Sequence, residues 1–356
     1  MCKVRRFSKL RLIILLGLLF LWACASDRES QRLPKLSAKE PGFLIPASCF
    51  YPAGIKGNEG RYDDPGAVDP ELAREIEKFL LANHMFNIFD SPLSRQIDLP
   101  MIINTRVAGY LRHFTGRQKG VFQIYLARSG RYLPMMQRIF KDQGLPSDLA
   151  YLALIESGFS PWAVSVAQAV GPWQFIRETA ARYGLKVNAW VDERRDPEKA
   201  TRAAARYLKD LYRQFGSWYL AAAAYNAGEG RVQGAINRHD TEDFWQMAQE
   251  RLLPQETCNY VPQLIAAVLI SKSPQKYGLE PINYQLPLSY TTMRVPAGTD
   301  LKWVAEVLEI SFAGLKELNP ELSHNQAPRD QTVYVLKIPV GKRQKINHLA
   351  DILSKF

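Results

Sequence analysis

Most of this chain repeats one pattern: apolar residues every three or four positions, broken by short polar runs, as in amphipathic helices. In "DPELAREIEKFLLANH", Leu72, Ile76, Phe79 and Leu80 fall on one stripe, with Asp69 placed as an N-cap and Pro70 at the first position. "TRVAGYLRHF" and "GVFQIYLARSGRYLPMMQRIFKDQG" continue it, and the second predicts two helices broken near Ser129–Gly130 and stopped at Gly144. "SDLAYLALIESG", "GPWQFIRETAARYG", "DPEKATRAAARYLKDLYRQFG", "SWYLAAAAYNAG" and "LLPQETCNYVPQLIAAVLISKSP" follow, many opening on Asp, Ser or Pro and closing on Gly. Between Phe159 and Gly171 the helical signal weakens, so that stretch must fold locally. To about Lys276 the pattern is all-helical.

After "SPQKYGLEPINYQLPLSY" the period changes. "YTTMRVP" and "TVYVLKIP" read as strands, with two short helices, "DLKWVAEVLE" and "SFAGLKELN", between them. A βααβ unit of this size must pair its strands to bury anything. It reads as a body separate from the helices. The predicted fold class is mainly α with a small C-terminal βααβ domain.

The N-terminal pattern has a different meaning. Residues 1–23 carry Lys3, Arg5, Arg6, Lys9 and Arg11 and no acid, and then the apolar run Leu12–Leu21, short for a span and placed as a signal-peptide core. The run ends in "LWAC", in which Ala23 before Cys24 resembles the bacterial lipobox, where the cysteine receives lipid. Trp22 departs from that pattern, and an ordinary signal peptide or an uncleaved anchor are the competing readings. Residues 24–66, rich in Pro, Gly and Ser, read as a tether. The formal charge of +11 falls to 11 − 5 = +6 without the leader, so charge says little about partners. Apolar residues at 47% and charged residues at 23% are ordinary for a globular protein. Of the four cysteines, Cys49 and Cys258 lie outside the leader and its boundary, far apart and in no metal-ligand spacing. No phosphate loop, dinucleotide fingerprint or zinc motif is present; no cofactor, metal or nucleic-acid partner is expected.

One acid stands out. In "GLPSDLAYLALIESGFSP", Glu156 shares a helical face with Leu149, Leu152 and Ala153, with Ser147 as N-cap candidate and Asp148 in the first turn. Desolvation raises a carboxyl pKa, and an acid protonated near neutral pH can serve as a general acid. Periodicity alone leaves two readings level: a catalyst, or a core acid neutralised by a Lys or Arg.

Four ordered segments bear on that choice: "ESGFSP", "SVAQAVGPWQF", "AAYNAGEG" and "QETCNYVPQLIAA". In order and spacing they resemble the motifs of family-1 lytic transglycosylases, with a goose-type lysozyme-like catalytic fold, and most resemble the membrane-bound D-type branch. The likeness spans roughly residues 100–340. It implies an all-helical catalytic domain over 131–285, preceded by a helical region over 67–130. It also implies a peptidoglycan substrate, and Glu156 as the single catalytic acid/base. In that family the acid protonates the oxygen between N-acetylmuramic acid and N-acetylglucosamine, then takes the proton of the muramic C6 hydroxyl as it closes a 1,6-anhydro ring. The two-carboxylate scheme of ordinary glycosidases does not transfer.

By position, the resemblance implies that Ser157 buttresses the helix end, Ser165 approaches the C6 region and Gln174 lines the cleft. Trp173 is a candidate for stacking on a sugar, against the alternative of a core plug. Tyr225 is implied to hydrogen-bond the acid, and Asn226 to orient loop or substrate. Glu256 and Tyr260 are implied to hold the cleft, though Glu256 could simply serve a helix dipole. Gln168 stands where the family commonly has Gly.

Residues 290–340 resemble a LysM module, which binds N-acetylglucosamine in glycan chains. The implied surface is Gly298, Thr299 and Asp300 with Asn319 and Pro320. The usual Gly-Asp-Thr-Leu is here Gly-Thr-Asp-Leu, so a degenerate docking domain is the alternative. The basic stretch 341–356 reads as a surface helix. Altogether the expectation is an outer-membrane lipoprotein, anchored at Cys24, that faces the periplasm and cleaves glycan strands. A hydrolytic goose-type lysozyme and a non-catalytic wall-binding lipoprotein are the alternatives.

Overall fold

The computed structural model describes residues 97–342. The leader, Cys24, the tether with Cys49, the first expected helix and most of the basic tail lie outside the described residues. Among the described residues, no helix is long and apolar enough to cross a membrane.

Among the described residues nine α-helices form the body: α1 (Thr105–Thr115), α2 (Lys119–Asp142), α3 (Leu152–Ser157), α4 (Arg177–Arg182), α5 (Pro197–Phe215), α6 (Trp218–Ala227), α7 (Glu229–His239), α8 (Phe244–Gln249) and α9 (Gln255–Lys272). Their starts follow capping chemistry. Asn104 caps α1, Asp196 caps α5 ahead of Pro197, Ser217 caps α6 and Asp243 caps α8, each accepting backbone N–H bonds of the first turn. Helix α9 is buried all round from Tyr260 to Ile270, as expected of an element with no polar face there. It packs on α1, α3, α6 and α8, and the other helices are arranged around it.

Two local readings change. The stretch 119–142 is one helix, not two. Ser129 Oγ donates back to the Leu126 carbonyl at 2.7 Å, an arrangement compatible with the helix interior. The linker between the helical body and the first C-terminal strand, residues 279–290, runs across this helix, with Gln285 N and Leu288 N donating to the Ala127 and Arg131 carbonyls. The Glu156 segment, in turn, begins as a 3-10 turn over Ser147–Tyr151 and becomes α-helical at Leu152. Ser147 does not cap it; its N–H and Oγ both donate to Asp98.

The C-terminal strands β1 (Thr291–Pro296) and β2 (Val333–Ile338) pair antiparallel, Met293 opposite Leu336 and Val295 opposite Tyr334, with α10 (Leu301–Leu308) and α11 (Phe312–Leu318) between them. The expected βααβ order is present, but the unit is not separate. Its core includes Val191, with Trp190 packed on it, both from the loop before α5. Val191 bridges Leu322, Asp192 N donates to the Glu321 carbonyl at 2.8 Å, and Ser323 N donates to the Trp190 carbonyl at 2.9 Å. Lys337 reaches the buried Asp196 carboxylate at 2.6 Å. A two-stranded sheet buries little by itself, and the helical body supplies the missing apolar surface.

Asp148 is a fully buried acid, held by Lys272 of α9 at 2.6 Å and by the N–H of Asp98 at 3.0 Å. Removing one member of such a pair leaves an uncompensated charge. Lys272→Met is therefore expected to cost about 3–5 kcal/mol in denaturant unfolding, and combining it with Asp148→Asn should recover most of that loss.

Candidate active site

Helix α3 delivers Glu156 to its C-terminal end and then stops. Gly158 takes φ +57°, and a Cβ there would lie 2.1 Å from the Tyr125 ring, so the chain turns where a side chain cannot fit. Ser157 faces inward: its Oγ donates to the Pro172 carbonyl at 2.9 Å and accepts from Ser160 N at 3.0 Å. It ties the helix end to the following loop and does not line the cleft.

That loop pairs locally, through bridges Val164–Val170 and Val170–Phe175. Ser165 and Ala169 close a tight turn, in which Ser165 Oγ accepts from Ala169 N at 3.0 Å. Gln168 sits in this turn at φ +60°, the left-handed region, which accounts physically for glycine being common there. Gln174, also at positive φ, donates to the Gly171 carbonyl at 2.8 Å.

A cleft of about 720 Å³ opens above α3, lined by Glu156, Ser165, Gln174, Tyr225, Asn226, Glu256 and Tyr260. Residues from four motifs spread over a hundred positions thus share one wall-to-wall space. Trp173 does not join them. It is fully buried, stacked on Phe140 at 5.4 Å between ring centroids, with its indole N–H donated to Thr201. It is a core plug.

The tyrosine contact differs from the expectation too. The Tyr225 hydroxyl donates to the Trp173 carbonyl at 2.7 Å. The hydroxyl that donates to Glu156 Oε1, at 2.5 Å, belongs to Tyr260, on the central helix α9. Asn226 bridges α6 to α9, donating to Glu256 at 3.2 Å and accepting from Thr257 at 2.8 Å. The sequence reading missed Gln263, a turn after Tyr260 on the same helix face, and Tyr207 and Glu229, which also line the cleft. The spacing Tyr260–Gln263 was the available signal for the first.

Burial pushes the Glu156 carboxyl up to about 7 from 4.5; the Tyr260 hydrogen bond pulls it down, and the Glu256 charge pushes it up. Among the described residues no Lys or Arg forms an ion pair with it, so the core-neutralised reading describes Asp148 and not Glu156. Glu229 is the opposite kind of acid. Its hydrogen bond from Arg182 holds it below the usual carboxylate range, and Tyr207 donates to it as well. Tyr225 is pushed well above its ordinary range by burial and by the Glu156 charge. Glu156 is therefore suited to carrying a proton at neutral pH.

At the C-terminal domain, Gly298, Thr299 and Asp300 lie at or near the surface, and Asp300 caps α10 with Lys302 N at 2.6 Å. The exchanged Thr–Asp order thus supplies an N-cap. Asn319 and Pro320 are buried. Asn319 Nδ2 donates to the Leu315 and Lys337 carbonyls and its Oδ1 accepts from Lys337 N, so its amide holds α11 to β2 and has no surface to offer a glycan.

Residues 135–248 match the family model described as Transglycosylase SLT domain, and residues 289–355 the one described as Lytic transglycosylase MltD, LysM-like domain. The chain carries an SLT transglycosylase domain followed by an MltD-type LysM-like domain. Over 208 residues it is 35% identical to membrane-bound lytic murein transglycosylase D of Escherichia coli strain K12, covering 57% of this chain and 45% of that one. Peptidoglycan transglycosylase gp16 of Escherichia phage T7 is 34% identical over 153 residues, 42% of this chain and 11% of the phage protein. The chain spans about half the length of the curated bacterial relatives it matches first. Among solved structures, the 70 kDa soluble lytic transglycosylase of Escherichia coli aligns over 65% of this chain and 41% of its own, at 20% identity and a TM-score of 0.38. The SLT match ends at residue 248, before α9, which supplies Tyr260.

The raised Glu156 carboxyl couples stability to pH. Below about pH 4.5 both folded and unfolded chains hold its proton. Between 4.5 and about 7 only the folded chain holds it, so its contribution to stability declines with rising pH and is fully lost above about 7. Glu156→Gln should therefore melt higher than wild type above about pH 7, with the gap closing toward pH 4.5, as followed by calorimetry. Tyr260→Phe removes the hydrogen bond that lowers the carboxyl, so the Glu156 pKa, read by NMR titration, should rise further.

Proposed function

We propose that this chain cleaves the bond between N-acetylmuramic acid and N-acetylglucosamine in peptidoglycan by transglycosylation, leaving a 1,6-anhydro-muramic end. The observation that carries this reading is a desolvated carboxyl, Glu156, raised to about 7 in a cleft that is also lined by Glu229, which Arg182 holds below the usual carboxylate range. Protonated Glu156 donates to the glycosidic oxygen as the C1–O bond breaks. The resulting carboxylate then accepts the C6 hydroxyl proton as that oxygen bonds to C1. The acid is regenerated and no water is consumed. Tyr260 orients the carboxyl through its hydroxyl, and the E. coli relatives named for murein transglycosylation support the substrate class.

In this reading Ser165 and Gln174 from the loop and Asn226 and Glu256 from α6 and α9 contact the sugar on either side of Glu156. Gly298, Thr299 and Asp300 are the part of the LysM-like domain assigned to glycan. Cys24 carries the lipid that holds the enzyme at the outer membrane, facing the periplasm; the similarity to membrane-bound relatives supports that placement.

Mass spectrometry of muropeptides released from sacculi tests the reaction. Anhydro-muramic ends are expected, and reducing muramic ends would instead place the chain among hydrolytic muramidases. Glu156→Gln should lose turnover by at least about 10³-fold while still sedimenting with sacculi; binding without turnover in the wild type would leave only a wall-binding lipoprotein. Cys24→Ala should move the protein from the membrane to the soluble periplasmic fraction.

A further inference from the structure

The loop that lines the cleft is clamped from behind by one arginine. The Arg194 side chain is nearly buried, and four of its hydrogen bonds are directed. Nε and Nη2 grip both oxygens of Asp192, each at 2.8 Å. Nη1 donates to the Gln168 and Phe175 carbonyls, each at 3.1 Å. Those two carbonyls belong to the two limbs of the segment that presents Ser165, Gln168 and Gln174 to the cleft. A planar fork with five donors can hold this geometry, and an ammonium cannot. Backbone contact adds to the clamp, because Gly171 approaches so closely that a Cβ there would lie 1.9 Å from the Arg194 carbonyl oxygen.

The clamp has its own support. Asp192, which fixes the guanidinium, donates its N–H to the Glu321 carbonyl of the C-terminal domain at 2.8 Å. On one side, Val191 bridges Leu322. On the other, Asp196 accepts the Lys337 ammonium. The segment 190–196 is thus held on one side by the LysM-like domain and on the other holds the catalytic loop.

We propose that Arg194 is a positioning residue for the cleavage reaction, and that the docked LysM-like domain shapes the active-site loop through it, in addition to any hold the domain has on glycan. This inference rests on the transglycosylase reading given above. It predicts an effect on turnover, whereas a domain serving only as a glycan tether would affect substrate capture.

The experiment uses the full-length chain, soluble uncrosslinked glycan strands as substrate, and amide hydrogen exchange as a second readout. Arg194→Lys keeps the charge but loses the fork. Its kcat should fall by about 10²-fold with KM changed less than about threefold. Exchange across residues 163–175 should quicken while α9 stays protected. Leu322→Ala, a milder change at the domain interface, should quicken exchange in the same loop and lower kcat in the same direction, without touching Arg194. The proposal is overturned if Arg194→Lys keeps kcat within about twofold of wild type, if KM alone rises, or if Leu322→Ala leaves loop exchange unchanged. A wild-type chain that turns over no glycan would refute the transglycosylase reading instead, and the exchange arm would still show whether the clamp exists.

Discussion

A carboxyl taken out of water is held either by a cation or by keeping its proton. The short stretch from Asp148 to Glu156 contains both solutions, and the buried helix α9 enforces each. Lys272, near its C-terminal end, neutralises Asp148; Tyr260, three turns earlier, gives Glu156 a hydroxyl and no charge. The same pair of elements is therefore anchored at one end by an ion pair and made chemically useful at the other. The anchoring matters for the chemistry, since a proton donor has to be held within a fraction of an ångström of its target. Everything else around the cleft is arranged about that contact.

Helix α9 also explains how the motifs meet. It is the only described element buried on all faces over so many consecutive residues, so the shorter helices must pack around it. Its first turns carry Glu256 and Tyr260 to the cleft, where Asn226 joins them from the end of α6, held by Glu256 and the buried Thr257. The Ala-rich face of α6 permits that close approach, with Leu220 to Ala224 all fully buried.

Much of this was legible in the residues, for local reasons. Caps, breakers and period located several of the body helices and the two strands, because Asp196–Pro197 or a terminal Gly acts within a few residues; α7 and α8 were not singled out. Glu156 was visible as an acid on an apolar stripe, though its separation from Asp148 was not: two acids in one apolar run look alike until the partner 124 residues on from Asp148 is known. Trp173 and Asn319 misled for a related reason. Indole and amide groups are at home in a binding site or in a core with one good partner, and only Thr201 and the Lys337 backbone show which applies. The exchange of roles between Tyr225 and Tyr260 is a matter of ångströms between packed helices, beyond the reach of spacing. The docking of the βααβ unit was hidden because Trp190 and Val191 lie in a loop without periodicity, more than a hundred residues from the strands they complete.

That last arrangement bears on how such chains can be recombined. A module whose core is finished by two residues of another domain is not a cassette. Grafted elsewhere without the 190–192 segment, the C-terminal unit would expose Leu322 and lose its edge pairing to Asp192. The body left behind would expose Val191 and leave the Asp196 carboxylate without its ammonium partner Lys337. The boundary drawn along the sequence before β1 is therefore not the boundary across which the two parts pack, which runs through residues 190–196.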